Sequence, residues 1–301
     1  MCFLVTYSIS FVLLLLAAAS VAGFFGALLG VGGGIFIVPA MVLLFHLPMK
    51  IAVAASIVSV IATSNAGGSS YVEQRISNLR LAMFLELFTT TGALIGAVLA
   101  IYLHDWAISL VFAVMLAYMA FASFSTRNVD DERIAKGLFS KAKPDAISRY
   151  LSLQGSYHDL AANKDVHYIV RGAKAGITVA SLAGIASGLL GVGGGVLKVS
   201  AMNKYMNVPM KVSVGTSKLM IGVTAAVSSI LFFMAGLIHF MVVAPVAIGT
   251  TVGATIGTML MNHLHTAVLK WIFSALMAYL AYAMLAQALA VGFGIHLPSS
   301  T

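Results

Sequence analysis

The sequence predicts an all-α polytopic membrane protein made of two homologous units, and three observations predict it. Of the 301 residues, 60% are hydrophobic and only 9% are charged. Soluble chains carry roughly 25% charged residues, so the surplus apolar surface here must face lipid. At about 20 apolar residues per crossing, the apolar stretches leave room for roughly eight to ten helical segments. The chain also repeats itself. Gly-Leu-Leu-Gly-Val-Gly-Gly-Gly at 188–195 echoes Gly-Ala-Leu-Leu-Gly-Val-Gly-Gly-Gly at 26–34, and Gly30 and Gly191 are 161 positions apart. The same offset pairs Ala40-Met41 with Ala201-Met202, Pro48-Met49-Lys50 with Pro209-Met210-Lys211, Ser56 with Ser217, Thr63 with Thr224, Gly92 with Gly253, Gly96 with Gly257, His104 with His265 and Tyr118 with Tyr279. A constant register through Pro, Lys and His marks a duplicated unit.

Each element can be justified in chain order. The run 3–29 is expected to be a first membrane helix and not a cleaved signal peptide, because no Lys or Arg precedes it and it stays apolar through Leu29. Segment 35–46 is only 12 residues long, too short for about 30 Å at 1.5 Å per residue. Glycines and Pro48 bracket it. With segment 51–72 it reads as a re-entrant hairpin, since irregular backbone survives at membrane depth only inside protein or a water-filled cavity. Segments 81–103 and 106–124 close the first unit, residues 1–124. Residues 125–171 form a polar linker holding 14 of the 26 charged side chains, eight of them basic. The second unit, 172–301, repeats the order at 172–190, 196–206, 212–235, 239–262 and 267–291, and its second segment is short again. Short interrupted segments at matching places in two halves point to a transporter binding site.

Lys and Arg set the orientation. Eight basic residues place the linker on the cytoplasmic side, and the 73–80 loop with Arg75 and Arg80 agrees. The counterpart loop 236–239 has no Lys or Arg, whereas the turn after it carries Lys270. Equivalent loops on opposite sides are what inverted-topology repeats require, and both termini then lie outside.

The net charge of +8 is not a nucleic-acid signature, because no basic stripe with interleaved aromatics lies on a soluble surface. Cys2 is the single cysteine and is silent about redox compartment. No cofactor is implied. A metal site is not expected either: His46, His104, His239, His263, His265 and His296 sit scattered at segment ends without ligand spacing. An enzyme is disfavoured by the near absence of membrane carboxylates and of a nucleophile motif. The Gly-x-Gly-Gly-Gly strings lack the strand, helix and Gly-Lys-Ser/Thr ending of a phosphate loop. They read as helix-packing faces and helix breakers, with backbone contact to a ligand at Gly32, Gly33, Gly193 and Gly194 as the alternative.

Two such strings, each followed by a Pro-x-Lys turn and a Ser-containing helix (Gly215-Thr216-Ser217 in the second half), resemble the TauE/SafE sulfite exporter family, also called the sulfonate uptake permease family. The resemblance spans nearly the whole chain outside the linker. It implies a multi-pass permease for small sulfur-containing or organic anions in a bacterial-type inner membrane. Ala55-Ser56 stands where the first half would carry Thr-Ser, and the linker is longer and more charged than a minimal connector.

Charge independently favours an anion. A mid-bilayer lysine costs about 2.5–3.5 kcal/mol on insertion scales, so membrane lysines are expected to face a cavity or reach an interface. Lys50 and Lys211 hold the same repeat position, after the Pro that opens the third segment. In inverted hairpins both ammonium groups and two helix N-termini are expected near the midplane, an anion site by charge and dipole. The alternative is that each snorkels at a surface turn. Lys218 is seven residues after Lys211, with Gly215 between them, on one helix face. Thr216, Ser217 and Ser56 join the site only if the helix start is unwound. Asn65 and Asn203 line the cavity or bond across helices. Lys198 and Lys204, without counterparts, read as snorkelling residues. Glu86 is a candidate for a coupling proton, or a partner for Arg80.

Taken together these features read as a secondary transporter moving sulfite, a sulfonate or a small carboxylate by alternating access. A passive anion channel or a membrane sensor regulated by the linker is the alternative. The partners are the lipid bilayer and a small anion, with a coupling proton or ion and homo-oligomerisation left open and no nucleic acid.

Overall fold

The computed structural model describes residues 9–28, 33–73, 76–125, 139–140, 142–159, 164–261 and 266–295. Their helices are α1 (Ile9–Leu28), α2 (Gly34–Leu43), α3 (Met49–Glu73), α4 (Leu79–Tyr102), α5 (Asp105–Ser125), α6 (Ala146–Tyr150), α7 (Ala173–Leu190), α8 (Gly195–Ser200), α9 (Met210–Met234), α10 (Phe240–Met261) and α11 (Thr266–Phe293). Among the described residues, six of these are long and apolar enough to cross a membrane. The chain is thus an all-α polytopic membrane protein, as its composition predicts.

The helices pair α1 with α10, α4 with α7, α5 with α11 and α3 with α9, while α4 also touches α9 and α3 touches α10. Glycine explains the two closest pairs. A Cβ on Gly92 would strike the Ser181 carbonyl, one on Gly96 the Ile185 carbonyl, one on Gly184 the Thr89 carbonyl and one on Gly188 the Ala93 carbonyl. Gly249, Gly253 and Gly257 of α10 meet the Leu16, Ser20 and Phe24 carbonyls of α1 in the same manner. Apolar side chains have no water to escape inside lipid, so such bare backbone-to-backbone packing supplies much of the helix association.

Helix α2 has 10 residues, a reach of about 15 Å, and α8 has six before a π-helical turn at Ala201–Tyr205. Neither crosses. The stop before α8 is conformational: Gly191, Gly193 and Gly194 have φ of 71°, 77° and 64°, the left-handed region open chiefly to glycine. Each also lacks room for a side chain, Gly191 against the Val53 carbonyl (2.7 Å from an added Cβ) and Gly194 against the Ala183 carbonyl (2.6 Å).

The linker is more than a solvated connector. Gly155–Asp159 and Lys164–Tyr168 form an antiparallel hairpin whose Tyr157, Val166 and Tyr168 are buried with Phe139, Leu153 and Val170 against Leu81, Leu85, Met202, Met206 and Val212 of the helices. Asn78 caps α4 by accepting from Leu81 N (3.0 Å) and donates to the Leu153 carbonyl (2.8 Å) and the Tyr168 hydroxyl (2.9 Å). Burial pushes the Tyr168 hydroxyl up to about 12, against the pull of the Asn78 hydrogen bond. Asn207, at the turn after the π-helix, donates to the Phe139 and Ile169 carbonyls (3.1 and 3.0 Å). The folded linker therefore grips the 76–78 loop and the end of the second short segment.

Asp145 ties the linker to α7, accepting from the amides of Ser148 (3.1 Å) and Ala173 (2.9 Å). Burial pushes its carboxyl up, but these hydrogen bonds outweigh it and hold the group below the usual carboxylate range. A lowered folded pKa contributes stability above the unfolded value and loses it as pH falls through the folded one. Corrected for the fall of the intrinsic rate with acid, the protection of amides 146–150 against hydrogen exchange should accordingly drop below about pH 4 in the wild type. Asp145→Asn should exchange faster at neutral pH and respond little to acid; identical pH profiles would remove this role.

Candidate functional site

Four elements converge where α3 and α9 cross. Gly193 lies against both Val60 of α3 and Ile221 of α9, with an added Cβ 3.1 and 2.7 Å away, and Ser64 Oγ donates to the Lys218 carbonyl (2.5 Å). As the α3 number rises from 60 to 64, its α9 partner falls from 221 to 218, so the two helices run antiparallel. The short segments start at this crossing. Gly34, at the head of α2, would place a Cβ 2.7 Å from both the Gly191 carbonyl and Ser56 Oγ, and Gly195, at the head of α8, one 2.7 Å from Ile221. Ser56 donates to the Gly191 carbonyl (2.7 Å) and Ser217 to the Gly195 carbonyl (3.3 Å). Both serines thus hold glycine turns in place with α9 helical from Met210 onward.

The antiparallel crossing separates the two lysines expected to meet. Lys50 and Lys211 stand near the N-termini of α3 and α9, at opposite ends of the pair and roughly 30 Å apart along it. Lys50 is partly exposed and donates to the Ile101 carbonyl (2.7 Å) at the C-terminal end of α4, where a cation also suits the helix dipole. Lys211 is exposed and Lys218 half-buried. Thr216 is buried and accepts from the Asn78 amide (3.0 Å). Asn203 is half-buried and donates to the Val208 carbonyl (3.1 Å) within its own turn. Gly33 precedes α2 with ordinary helical φ of −64°, unlike Gly193 and Gly194. Gly32 and the Asn65 side chain lie outside the described residues.

The lysine expected to snorkel is the buried one. Lys204 is exposed, but Lys198 on α8 is 1% exposed and its Nζ donates to Thr224 Oγ1 of α9 (2.7 Å). Thr224 in turn donates to Glu86 Oε1 of α4 (2.8 Å). Thr90 donates to that same oxygen (2.9 Å) and Thr89 to Oε2 (2.9 Å). Arg80 is not the partner of Glu86, as its Nη1 points to the Ser152 carbonyl (3.4 Å). One ammonium and one carboxylate, bridged by a hydroxyl, thus join three helices inside the membrane region. This arrangement neutralises a cation whose burial alone is prohibitive. It can hold an anion only if that anion takes the place of the carboxylate's charge. Among the described residues, no three His, Cys, Asp or Glu side chains group to hold a metal. The only sequence signal for Lys198 is a cation three residues beyond a triple glycine, in a segment too short to carry it to either surface.

Along most of its length the chain is similar to known membrane transporters. The family described as "Sulfite exporter TauE/SafE" matches residues 15–284. "Probable membrane transporter protein YunE" of Bacillus subtilis (strain 168) is 24% identical over 265 residues, covering 85% of this chain and 90% of that one. "Probable membrane transporter protein YdhB" of the same organism is 23% identical over 259 residues, covering 86% and 92%. "Probable membrane transporter protein MamO" of Paramagnetospirillum magneticum (strain ATCC 700264 / AMB-1) is 23% identical over 294 residues, covering 93% of this chain and 45% of its own. No solved structure matches.

Proposed function

The chain belongs to the sulfite exporter TauE/SafE family and is a multi-pass membrane transporter; on that premise we propose that it is a secondary transporter carrying a small anion, such as sulfite, a sulfonate or a small carboxylate, by alternating access. The observation that carries this reading is Lys198, sealed within a short interrupted helix at the crossing of α3 and α9 and balanced through Thr224 by Glu86. A cation at that depth attracts an anion, and its burial suits a carrier in an occluded state better than an open channel. The duplicated sequence supports the mechanism. The α1–α10 and α4–α7 pairs exchange under the 161-residue offset. Helices α3 and α9, which correspond under it, run antiparallel, as a two-fold axis in the membrane plane requires. On this reading residues 1–124 and 172–301 are the two units, and Lys50, Lys211 and Lys218 draw anions toward the mouths while Gly193, Gly194, Ser56 and Ser217 shape the crossing.

Purified protein in proteoliposomes is expected to take up at least one of sulfite, ethanesulfonate and lactate, and the same anion on the trans side should accelerate the flux, because a carrier returns faster loaded than empty. Absence of flux for all of them would refute the anion reading, and flux indifferent to trans substrate would favour a channel.

A further inference from the structure

The hydrogen bonds around Glu86 have a second arrangement ready. A hydroxyl has one proton to give. Thr224 can give its own to Glu86 Oε1 (2.8 Å) or to the Met220 carbonyl (2.8 Å). Thr89 can give its own to Glu86 Oε2 (2.9 Å) or to the Glu86 carbonyl (3.1 Å). An ionised Glu86 accepts from Thr89, Thr90 and Thr224, and of these Thr89 and Thr224 have a backbone alternative. A protonated Glu86 has an O–H to donate to Thr224, and both threonine protons then turn to backbone without stranding a donor, which would otherwise cost about 1–3 kcal/mol.

The positions related by the 161-residue offset, again drawn from both units, carry that second arrangement without the carboxylate. At the 161-residue offset, Glu86 corresponds to Ala247, Lys198 to Ile37, Thr89 and Thr90 to Thr250 and Thr251, and Thr224 to Thr63. Thr250 donates to the Val246 and Ala247 carbonyls (2.8 and 3.1 Å), Thr251 to the Ala247 carbonyl (2.7 Å) and Thr63 to the Ser59 and Val60 carbonyls (3.1 and 3.3 Å). Where no charge has to be met, the same hydroxyls rest on backbone. The ionic trio, with Glu86 from the first unit and Lys198 and Thr224 from the second, is therefore an addition to a threonine frame that stands without it.

We propose that Glu86 is the coupling carboxylate and that the coupled ion is a proton. The site exchanges an internal salt pair for a bound anion plus a proton. In the resting site Lys198 ammonium and Glu86 carboxylate cancel. When an anion binds at Lys198, Glu86 takes one proton from water onto a carboxylate oxygen, and the site again sums to zero for a singly charged substrate. Glu86 is partly exposed whereas Lys198 is buried, and on the proposal the carboxylate is the group that takes the proton. The other charged groups on helices packed against α4 are Lys174 on α7, exposed near its N-terminus, Lys211 on α9, also exposed, and Lys218 on α9, half-buried six residues before Thr224; the linker, packed on Leu81 and Leu85 near the start of α4, adds Lys143, Asp145, Arg149, Asp159, Lys164, Asp165 and Arg171 with His158 and His167. Arg80, on α4 itself, is held at Ser152. Transport of a monovalent anion is then electroneutral anion–proton symport.

The inference rests on the anion-transport reading, and the experiment separates the two. For whichever of sulfite, ethanesulfonate and lactate the wild type moves, a pH gradient should drive accumulation and an imposed membrane potential should not. In Glu86→Gln the ratio of pH-driven uptake to anion exchange should fall about tenfold or more. Because Glu86→Gln leaves Lys198 without its counter-charge and can misfold, calorimetry of anion binding to the wild type in two buffers of different ionisation enthalpy provides a second reading. Corrected for the anion's own ionisation, it should give net proton uptake. Flux indifferent to the pH gradient, or binding with no proton uptake, overturns the coupling while leaving the anion reading intact. Absence of flux for every anion overturns both.

Discussion

Gly188→Val is expected to cost the protein most of its stability. Gly188 sits inside α7, where a Cβ would collide with the Ala93 carbonyl and the Ala97 amide of α4. Those obstacles are backbone atoms of a helix that Gly92, Gly96 and Gly184 press against α7 from neighbouring turns, so no side chain can swing away. Replacing glycine by a better helix former gains up to about 1 kcal/mol of propensity. Overpacking a close interface costs about 1–3 kcal/mol or more, and here the two helices must separate along their length. The penalty wins. Thermal unfolding in detergent should show a large drop for Gly188→Val, and Leu182→Phe on the 63% exposed lipid-facing side of the same helix should stay within about 0.5 kcal/mol of wild type. Equal behaviour of the two variants would mean that the α4–α7 seam is not what holds these halves together.

Lys198→Met is expected to abolish anion transport, by about 100-fold or more, while leaving the fold in place. Methionine fills the space of the lysine stem with comparable apolar volume, and Glu86 keeps the hydroxyls of Thr89, Thr90 and Thr224. The reverse single change behaves differently. Glu86→Gln strands a buried ammonium, for which breaking a buried pair costs about 3–5 kcal/mol. Combining the two changes should restore stability toward wild type without restoring transport, since an apolar replacement of a buried pair is often neutral or better. A double variant no more stable than Glu86→Gln would show that Lys198 and Glu86 do not depend on each other. Normal flux in Lys198→Met would remove Lys198 from the anion path.

How much of this was legible in the sequence varies by residue. Glycines at four-residue spacing announced close helix packing, and they do pack, because the pattern records a local requirement for bare backbone on one helix face. The 12-residue segment before Pro48 announced an element that cannot cross, and α2 is that element. The linker read as solvated because its charges dominate a short stretch. Its Tyr157, Val166 and Tyr168 alternate over five-residue strands, too brief for a period-two signal to stand out, and they are buried only because Leu81, Met202 and Met206 wait for them. Lys50 and Lys211 were expected together because equivalent positions invite symmetric placement. Each instead stands near the N-terminus of its own helix, Lys50 held by the Ile101 carbonyl and Lys211 exposed.

The chain alone determined that the protein lives in lipid, that its triple-glycine strings recur at a 161-residue offset, and that some of its apolar segments are too short to cross. Those properties follow from composition, period and length, which are written residue by residue along one strand of text. Whether a given lysine reaches water is of another kind. Lys198 and Thr224 are 26 residues apart and Thr224 and Glu86 are 138 apart, and the bond that makes a buried cation tolerable exists only once α4, α8 and α9 have met. Snorkelling and burial suit the same sequence equally well, and the partner at the far end of the side chain selects between them.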